Sequence, residues 1–122
     1  MIRESTENYL ETILVLSQRL AAVRSIDISN ELGYSKPTIS ITMKNLREMG
    51  YVLVDDNGYI TLTDGGRAIA EQIYERHTIL TRMLMALGVS RETAVADACK
   101  IEHDLSQETF DRIKDHLERM EK

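Results

Sequence analysis

The chain has 122 residues, of which 43% are hydrophobic and 29% charged, and its net charge is −5. This composition is typical of a folded globular protein and excludes a disordered chain. No apolar run approaches the roughly 18 residues that a membrane span needs, and the first residues lack the apolar core of a signal peptide. A single cysteine excludes an internal disulfide. We therefore expect a cytoplasmic protein without membrane contacts.

The charge is spread over the whole chain. Residues 1–66 carry six basic and nine acidic residues, and residues 67–122 carry nine and eleven. Neither half is basic, which excludes a protein that coats nucleic acid through its overall charge. A protein whose basic groups lie together on one face remains compatible with these numbers.

Apolar residues at helical spacing dominate the first part of the chain. They predict one helix over residues 6–20 and a second over residues 25–32. In the second helix Ile26, Ile28 and Leu32 are expected to face inward.

A short glycine-containing turn separates the second helix from a third. Gly33 is expected to end the second helix with a left-handed cap. Ser35 is a good N-cap for the third helix, and Pro37 lies in its first turn, where a missing N–H has no cost. This helix is expected to run to residue 49. Two helices joined in this way predict a helix-turn-helix.

Two β-rich runs follow, at residues 51–54 and 59–62. Asn57-Gly58 lies between them and is one of the strongest short hairpin signals. A helix-turn-helix followed directly by a hairpin is a winged helix-turn-helix.

Three further helices complete the predicted fold. A long fourth helix over residues 65–87 begins after Thr63-Asp64, a fifth runs from Ser90 to about residue 103, and Ser106 begins a sixth. The predicted fold class is mainly α, with a winged helix-turn-helix (three helices plus a β-hairpin wing) joined by a long helix to an α-helical dimerisation domain. We predict a DNA-binding domain over residues 1–66 and a metal-sensing and dimerisation domain over residues 67–122.

The third helix has a local excess of positive charge on its predicted outward face. Lys36, Lys44 and Arg47 suit contacts to phosphates, and hydroxyl groups near the helix start suit phosphates or base edges. Ile41 could meet a thymine methyl or pack on the first helix. The alternative is a winged helix for protein contact with solvated cations. The candidate DNA-binding residues are Ser35, Lys36, Pro37, Thr38, Ser40, Ile41, Lys44, Arg47 and Asn57.

A second group of side chains has the chemistry of a transition-metal site. Cys99, Glu102 and His103 are spaced i, i+3 and i+4, which predicts one face of the fifth helix. His77 lies in the fourth helix, and Glu11 lies one turn after position 8 in the first. Thiolate, imidazole and carboxylate groups that meet in a bundle bind divalent transition metals. Each residue alone also has a structural alternative: an inert core cysteine, a solvated Glu-His pair or a surface carboxylate.

These features resemble the diphtheria toxin repressor family of metal-dependent transcriptional regulators, and in particular its short branch, the manganese transport regulators. The segment at residues 99–106, CKIEHDLS, with His77 about twenty residues before it, is the most specific part. The resemblance covers nearly the whole chain, and we expect no counterpart of the SH3-like domain that the longer branch carries. The other matching segments are TENYLETI at 6–13, SKPTIS at 35–40, LTDGG at 62–66 and Arg76-His77.

The resemblance implies a homodimeric repressor that controls metal-ion homeostasis by binding a palindromic DNA operator when loaded with Fe(II) or Mn(II). The manganese branch has carboxylates at positions 8 and 99, where this chain has Asn8 and Cys99, and the iron-type branch has a cysteine at the latter position. An amide and a soft thiolate favour Fe(II), Co(II), Ni(II) or Zn(II) over Mn(II). Carried over position by position, the metal ligands are Asn8, Glu11, His77, Cys99, Glu102 and His103.

Two other functions are compatible with parts of the sequence. A metal-independent winged-helix regulator would respond to an organic ligand or a protein partner. An enzyme would use Cys99 and His103 as nucleophile and base, but no oxyanion hole or Gly-rich loop is evident, so we expect no enzymatic activity.

The dimer surface is expected on the fifth helix and parts of the fourth and sixth. Its apolar area is expected from Ile79, Leu80, Met83, Leu84, Leu87 and Phe110.

Overall fold

The computed structural model describes residues 4–121 and confirms the predicted fold class. No helix in this range is long and apolar enough to cross a lipid bilayer. Two compact units are formed by residues 1–71 and 72–122, and the predicted boundary after residue 66 stays a prediction. The elements are α1 Glu4–Arg19, α2 Ser25–Leu32, α3 Lys36–Glu48, β1 Val52–Val54, β2 Ile60–Leu62, α4 Asp64–Ala86, α5 Arg91–Ile101 and α6 Gln107–Met120.

The first unit has one apolar core, to which α1, α2, α3, the hairpin and the start of α4 all contribute. In α3 the predicted core positions Ile39, Met43 and Leu46 are all buried. The prediction that Ile26 faces inward is wrong, because this side chain is 42% exposed. Eight residues make only about two helical turns, so the apolar spacing of α2 did not define its buried face uniquely.

Local signals set the geometry of the helix-turn-helix and of the wing. Gly33 ends α2 with a φ of 75°, and the Ser35 hydroxyl accepts a hydrogen bond from the backbone N–H of Thr38. Strands β1 and β2 pair antiparallel, with Val52 opposite Leu62. The winged helix-turn-helix is therefore present, with α3 in the position of a recognition helix.

The start of α4 packs very closely on the chain segment that precedes β1. Thr63 donates a side-chain hydrogen bond to the carbonyl of Gly50 and accepts one from the N–H of Gly66. A Cβ atom on Gly66 would overlap the backbone carbonyl oxygen of Tyr51 and lie 3.0 Å from its carbonyl carbon. Only glycine therefore allows α4 to begin at this distance from the hairpin.

Replacing Gly66 by alanine is expected to lower the free energy of unfolding by about 3 kcal/mol, because the backbone of either Tyr51 or α4 must shift. Gly65→Ala is the matched control, since its Cβ would meet atoms no closer than 3.9 Å and a helical alanine is favourable. Urea unfolding of the two variants and the wild type measures the difference. Equal midpoints for the two variants would contradict the close packing.

The second unit contains the remainder of α4 together with α5 and α6. Ser90 and Ser106 each accept a hydrogen bond from the backbone N–H three residues later, which confirms both predicted N-caps. The core of this unit is formed by Ile79, Phe110 and Leu117. The fifth helix ends at Ile101, two residues earlier than predicted.

The predicted dimer surface needs a correction. Ile79, Leu80 and Phe110 are each no more than 6% exposed within the single chain, so they pack in its own core and cannot supply intersubunit area. Met83 and Leu84 are half-buried, and Leu87 is 71% exposed. Apolar area for a second subunit is thus available at the C-terminal end of α4.

Candidate functional site

The predicted DNA-binding residues all lie on the surface of the first unit. Lys36, Lys44 and Arg47 are exposed along α3, and no acidic residue lies in its first turn. Positive side chains on one helix face provide the local cationic surface that an acidic protein needs to approach phosphates. The exposed set comprises Ser35, Lys36, Pro37, Thr38, Ser40, Ile41, Lys44, Arg47 and Asn57.

Ile41 is the unusual member of this surface. Its side chain is 64% exposed, so the alternative in which it packs on the first helix is wrong. A β-branched apolar side chain among exposed cations and hydroxyls suits contact with a thymine methyl in a major groove.

The tip of the wing is held by one aspartate. Asp55 Oδ1 lies 2.9 Å from the backbone nitrogens of Asn57 and Tyr59 and accepts a hydrogen bond from each. Gly58 has a φ of 80°, as the end of this tight turn requires. The turn presents Asn57 to solvent, where its side-chain amide can reach the phosphate backbone or a groove of DNA.

Three side chains of the second unit form a compact group of metal-binding atoms. One ligand atom each from His77, Cys99 and Glu102 lies within 4.8 Å of the others. Nδ1 of His77 is 2.9 Å from Oε2 of Glu102 and 3.7 Å from Sγ of Cys99. Ligand atoms on one ion are separated by up to about 4.6 Å, since each lies about 2.0–2.3 Å from the metal. The three donors are therefore close to the spacing of a metal site.

The carboxylate of Glu102 is the most informative member of this group. The residue is fully buried, and its Oε1 has no hydrogen-bond partner among residues 4–121. His103 Nε2 lies 3.5 Å from Oε1, and this side chain is also almost completely buried. A buried carboxylate oxygen without a partner is costly, and a bound cation would satisfy it. Imidazole, thiolate and carboxylate together fit a divalent transition metal.

The end of α5 explains how these groups come together. Glu102 keeps helical dihedral angles and donates its N–H to the carbonyl of Ala98, so it stays one turn beyond the helix position of Cys99. His103 lies in the turn that follows α5, which corrects the prediction that all three residues lie within the helix.

Two of the structural alternatives are contradicted by burial. Cys99 is exposed and is not a core cysteine. Glu102 and His103 are buried and are not a solvated pair. Both observations favour a functional interpretation of the group.

Asn8 and Glu11 lie on α1, in the first unit, and both are half-buried. They are three positions apart, so both side chains lie on one side of the helix. They stay predicted ligands.

Arg76 lies in one of the segments that carry the family resemblance, but the sequence patterns assign it no function of its own. It lies between Ile73 and Leu80, two buried positions of α4, and is itself only 8% exposed. The signal available in the sequence was a charged residue at a position that helical spacing places among apolar residues. Its guanidinium donates hydrogen bonds to the carbonyls of Glu102 and Leu105.

Fold and site together define a winged helix-turn-helix regulator with a candidate transition-metal centre, and comparison with known proteins agrees. Residues 1–59 match the family described as "Iron dependent repressor, N-terminal DNA binding domain". Residues 63–122 match "Iron dependent repressor, metal binding and dimerisation domain". The chain therefore belongs to the iron-dependent repressor family of metal-dependent transcriptional regulators, which are not enzymes.

Individual relatives support this membership. The transcriptional regulator MntR of Salmonella typhimurium is 37% identical over 109 residues, which cover 89% of this chain and 69% of the relative. An uncharacterised helix-turn-helix regulator of Methanocaldococcus jannaschii is 32% identical over 118 residues, or 95% of this chain and 94% of the relative. A manganese-dependent transcriptional repressor solved in complex with manganese is similar with a TM-score of 0.82 and 30% identity over 92% of this chain. The chain spans 52% of the length of that solved structure.

Proposed function

We propose that the chain is a homodimeric repressor that binds a palindromic operator when Fe(II) or Mn(II) occupies the centre at His77, Cys99 and Glu102, and so controls metal-ion homeostasis in the cytoplasm. The buried carboxylate of Glu102 carries this proposal, because it lies beside an imidazole and a sulfur atom and its Oε1 has no hydrogen-bond partner among residues 4–121. A cation is the ligand that this arrangement suits best.

The proposed ligand set extends beyond these three donors. His103 is buried beside Glu102 and would supply a second imidazole. Asn8 and Glu11 would add oxygen ligands from α1 of the first unit. The ligands we propose are Asn8, Glu11, His77, Cys99, Glu102 and His103.

Ligands from both units would couple metal binding to DNA binding. The recognition helices of a dimer must lie about 34 Å apart to enter successive major grooves. A metal ion bound to α1 and to the second unit would restrict the positions that the helix-turn-helix samples. The ion would then shift the population toward a spacing that fits the operator. In this scheme residues 1–66 read DNA and residues 67–122 sense the metal and dimerise.

The proposed metal preference follows from the donor types. A thiolate at position 99 and an amide at position 8 replace carboxylates that would favour Mn(II), which moves the preference toward Fe(II). Co(II), Ni(II) and Zn(II) suit the same donors and are alternative occupants. The supply of each ion in the cell also determines which one is bound, because most protein sites rank the divalent transition metals in the same order of affinity.

Selection of sequences from a random duplex library tests the proposal without a known operator. The protein is incubated anaerobically with Mn(II) or Fe(II), and in parallel with a chelator, before bound DNA is recovered and sequenced. We expect enrichment of a palindrome whose half-site centres are about 10 base pairs apart, and only in the metal-containing samples. Enrichment of the same sequences with chelator would show metal-independent binding and contradict the proposal.

A further inference from the structure

Arg76 forms a buried connection between α4 and the turn that follows α5. One guanidinium nitrogen, Nη1, donates to the carbonyl of Glu102 at 3.2 Å and to that of Leu105 at 2.8 Å. The other, Nη2, donates to Oε1 of Gln107 at 3.2 Å, at the start of α6. The guanidinium also lies over the ring of Phe110, with its central carbon 5.4 Å from the ring centroid.

These contacts satisfy one backbone carbonyl at the end of α5, that of the cap residue Glu102, and one in the segment before α6, that of Leu105. A carbonyl at a helix end cannot bond within the helix and needs a donor from elsewhere. The planar guanidinium can reach two carbonyls and an amide oxygen at once, which a lysine ammonium cannot do in the same geometry. Arg76 thereby holds the end of α5, the turn and the start of α6 on one side of α4.

Two consecutive residues of α4, Arg76 and His77, contact Glu102 at two different atoms. Arg76 binds its backbone carbonyl, and His77 lies 2.9 Å from its carboxylate oxygen Oε2. His103 is the next residue along the same turn. The backbone position of both proposed metal ligands in the turn therefore depends on the Arg76 guanidinium.

We propose that Arg76 is a positioning residue of the metal centre, which holds the turn after α5 so that Glu102 and His103 can bind the ion. This inference rests on the proposed metal centre. The guanidinium is buried, and its hydrogen bonds to the turn offset the cost of removing its charge from water. Positioning groups around metal ligands affect metal affinity although they do not touch the ion.

Anaerobic titration of Arg76→Lys with Co(II), followed by absorption spectroscopy, tests the inference. We expect affinity to fall about 10–100-fold, as for loss of other groups that orient ligands. The ligand-field bands at saturation should also shift, because Glu102 and His103 would no longer be held in place. Thermal unfolding of the metal-free protein is measured in parallel, since a purely structural role would lower that stability and leave the saturated spectrum unchanged.

Arg82→Lys is the matched control. Arg82 lies on the same helix and pairs with Glu121 of α6, but both side chains are more than 40% exposed, so the substitution should leave Co(II) binding unchanged. Wild-type affinity and spectrum in Arg76→Lys would overturn the inference and leave the metal centre intact. Failure of the wild type to bind Co(II) would instead contradict both the positioning role of Arg76 and the proposed metal centre.

Gln107→Ala tests the positioning role of Arg76 if Arg76→Lys does not fold. This substitution removes one acceptor of the guanidinium at an exposed position and leaves the arginine in place. We expect a smaller loss of Co(II) affinity in the same direction. An unchanged affinity would overturn the positioning role.

Discussion

Replacing Glu102 by glutamine is expected to weaken metal binding by at least about 100-fold, because it removes the one fully buried carboxylate among the donors that the second unit brings together. The metal-free protein should keep its stability. The glutamine amide oxygen can still accept a hydrogen bond from His77, and the substitution removes a buried charge whose Oε1 has no hydrogen-bond partner within the described chain. We expect the free energy of unfolding to change by no more than about 1 kcal/mol.

Two measurements separate these effects. Competition with a metal-binding dye gives the affinities of wild type and Glu102→Gln, and urea unfolding in the presence of chelator gives their stabilities. Glu75→Gln is the control, because that carboxylate pairs with Lys114 on the surface of the same unit. Equal metal affinity for wild type and Glu102→Gln would show that the ion binds elsewhere.

Replacing Cys99 by glutamate is expected to move the metal preference toward Mn(II). A soft thiolate favours Zn(II), Co(II) and Fe(II), whereas a carboxylate is a hard ligand that suits Mn(II). Cys99 is exposed, so the longer side chain can be accommodated without loss of packing. We expect the ratio of Mn(II) to Zn(II) affinity to rise by at least about tenfold.

Cys99→Ser is the control for this change. It removes the thiolate without adding a carboxylate, so Zn(II) affinity should fall with no gain for Mn(II). Both ratios are measured anaerobically with the same indicator. An unchanged ratio in Cys99→Glu would mean that the sulfur atom is not a ligand.

Local signals in the sequence predicted most of the elements. Gly33, Ser35, Ser90 and Ser106 act through the backbone of their own segment, so their effects can be predicted without knowledge of the fold. The Asn57-Gly58 turn likewise determines the wing. Ile26 is the exception, because which face of so short a helix is buried depends on the elements that pack on it.

The candidate metal centre was only partly predictable, for a different reason. The spacing of Cys99 and Glu102 places them together within one segment, but their contact with His77 depends on the packing of α4 on α5. Arg76 acts on residues 26 to 31 positions later in the chain, and Gly66 is required by the backbone of Tyr51. Contacts of this kind arise from tertiary packing and leave little trace in local spacing.

The most direct measurement is the affinity of the wild type for a duplex carrying the selected palindrome, by fluorescence anisotropy under anaerobic conditions. We expect saturating Fe(II) or Mn(II) to tighten binding by at least about 100-fold relative to chelator, at the upper end of typical coupling between two sites. Glu102→Gln should show the chelator affinity at the same metal concentration. Identical affinity of the wild type with metal and with chelator would contradict a metal-dependent repressor.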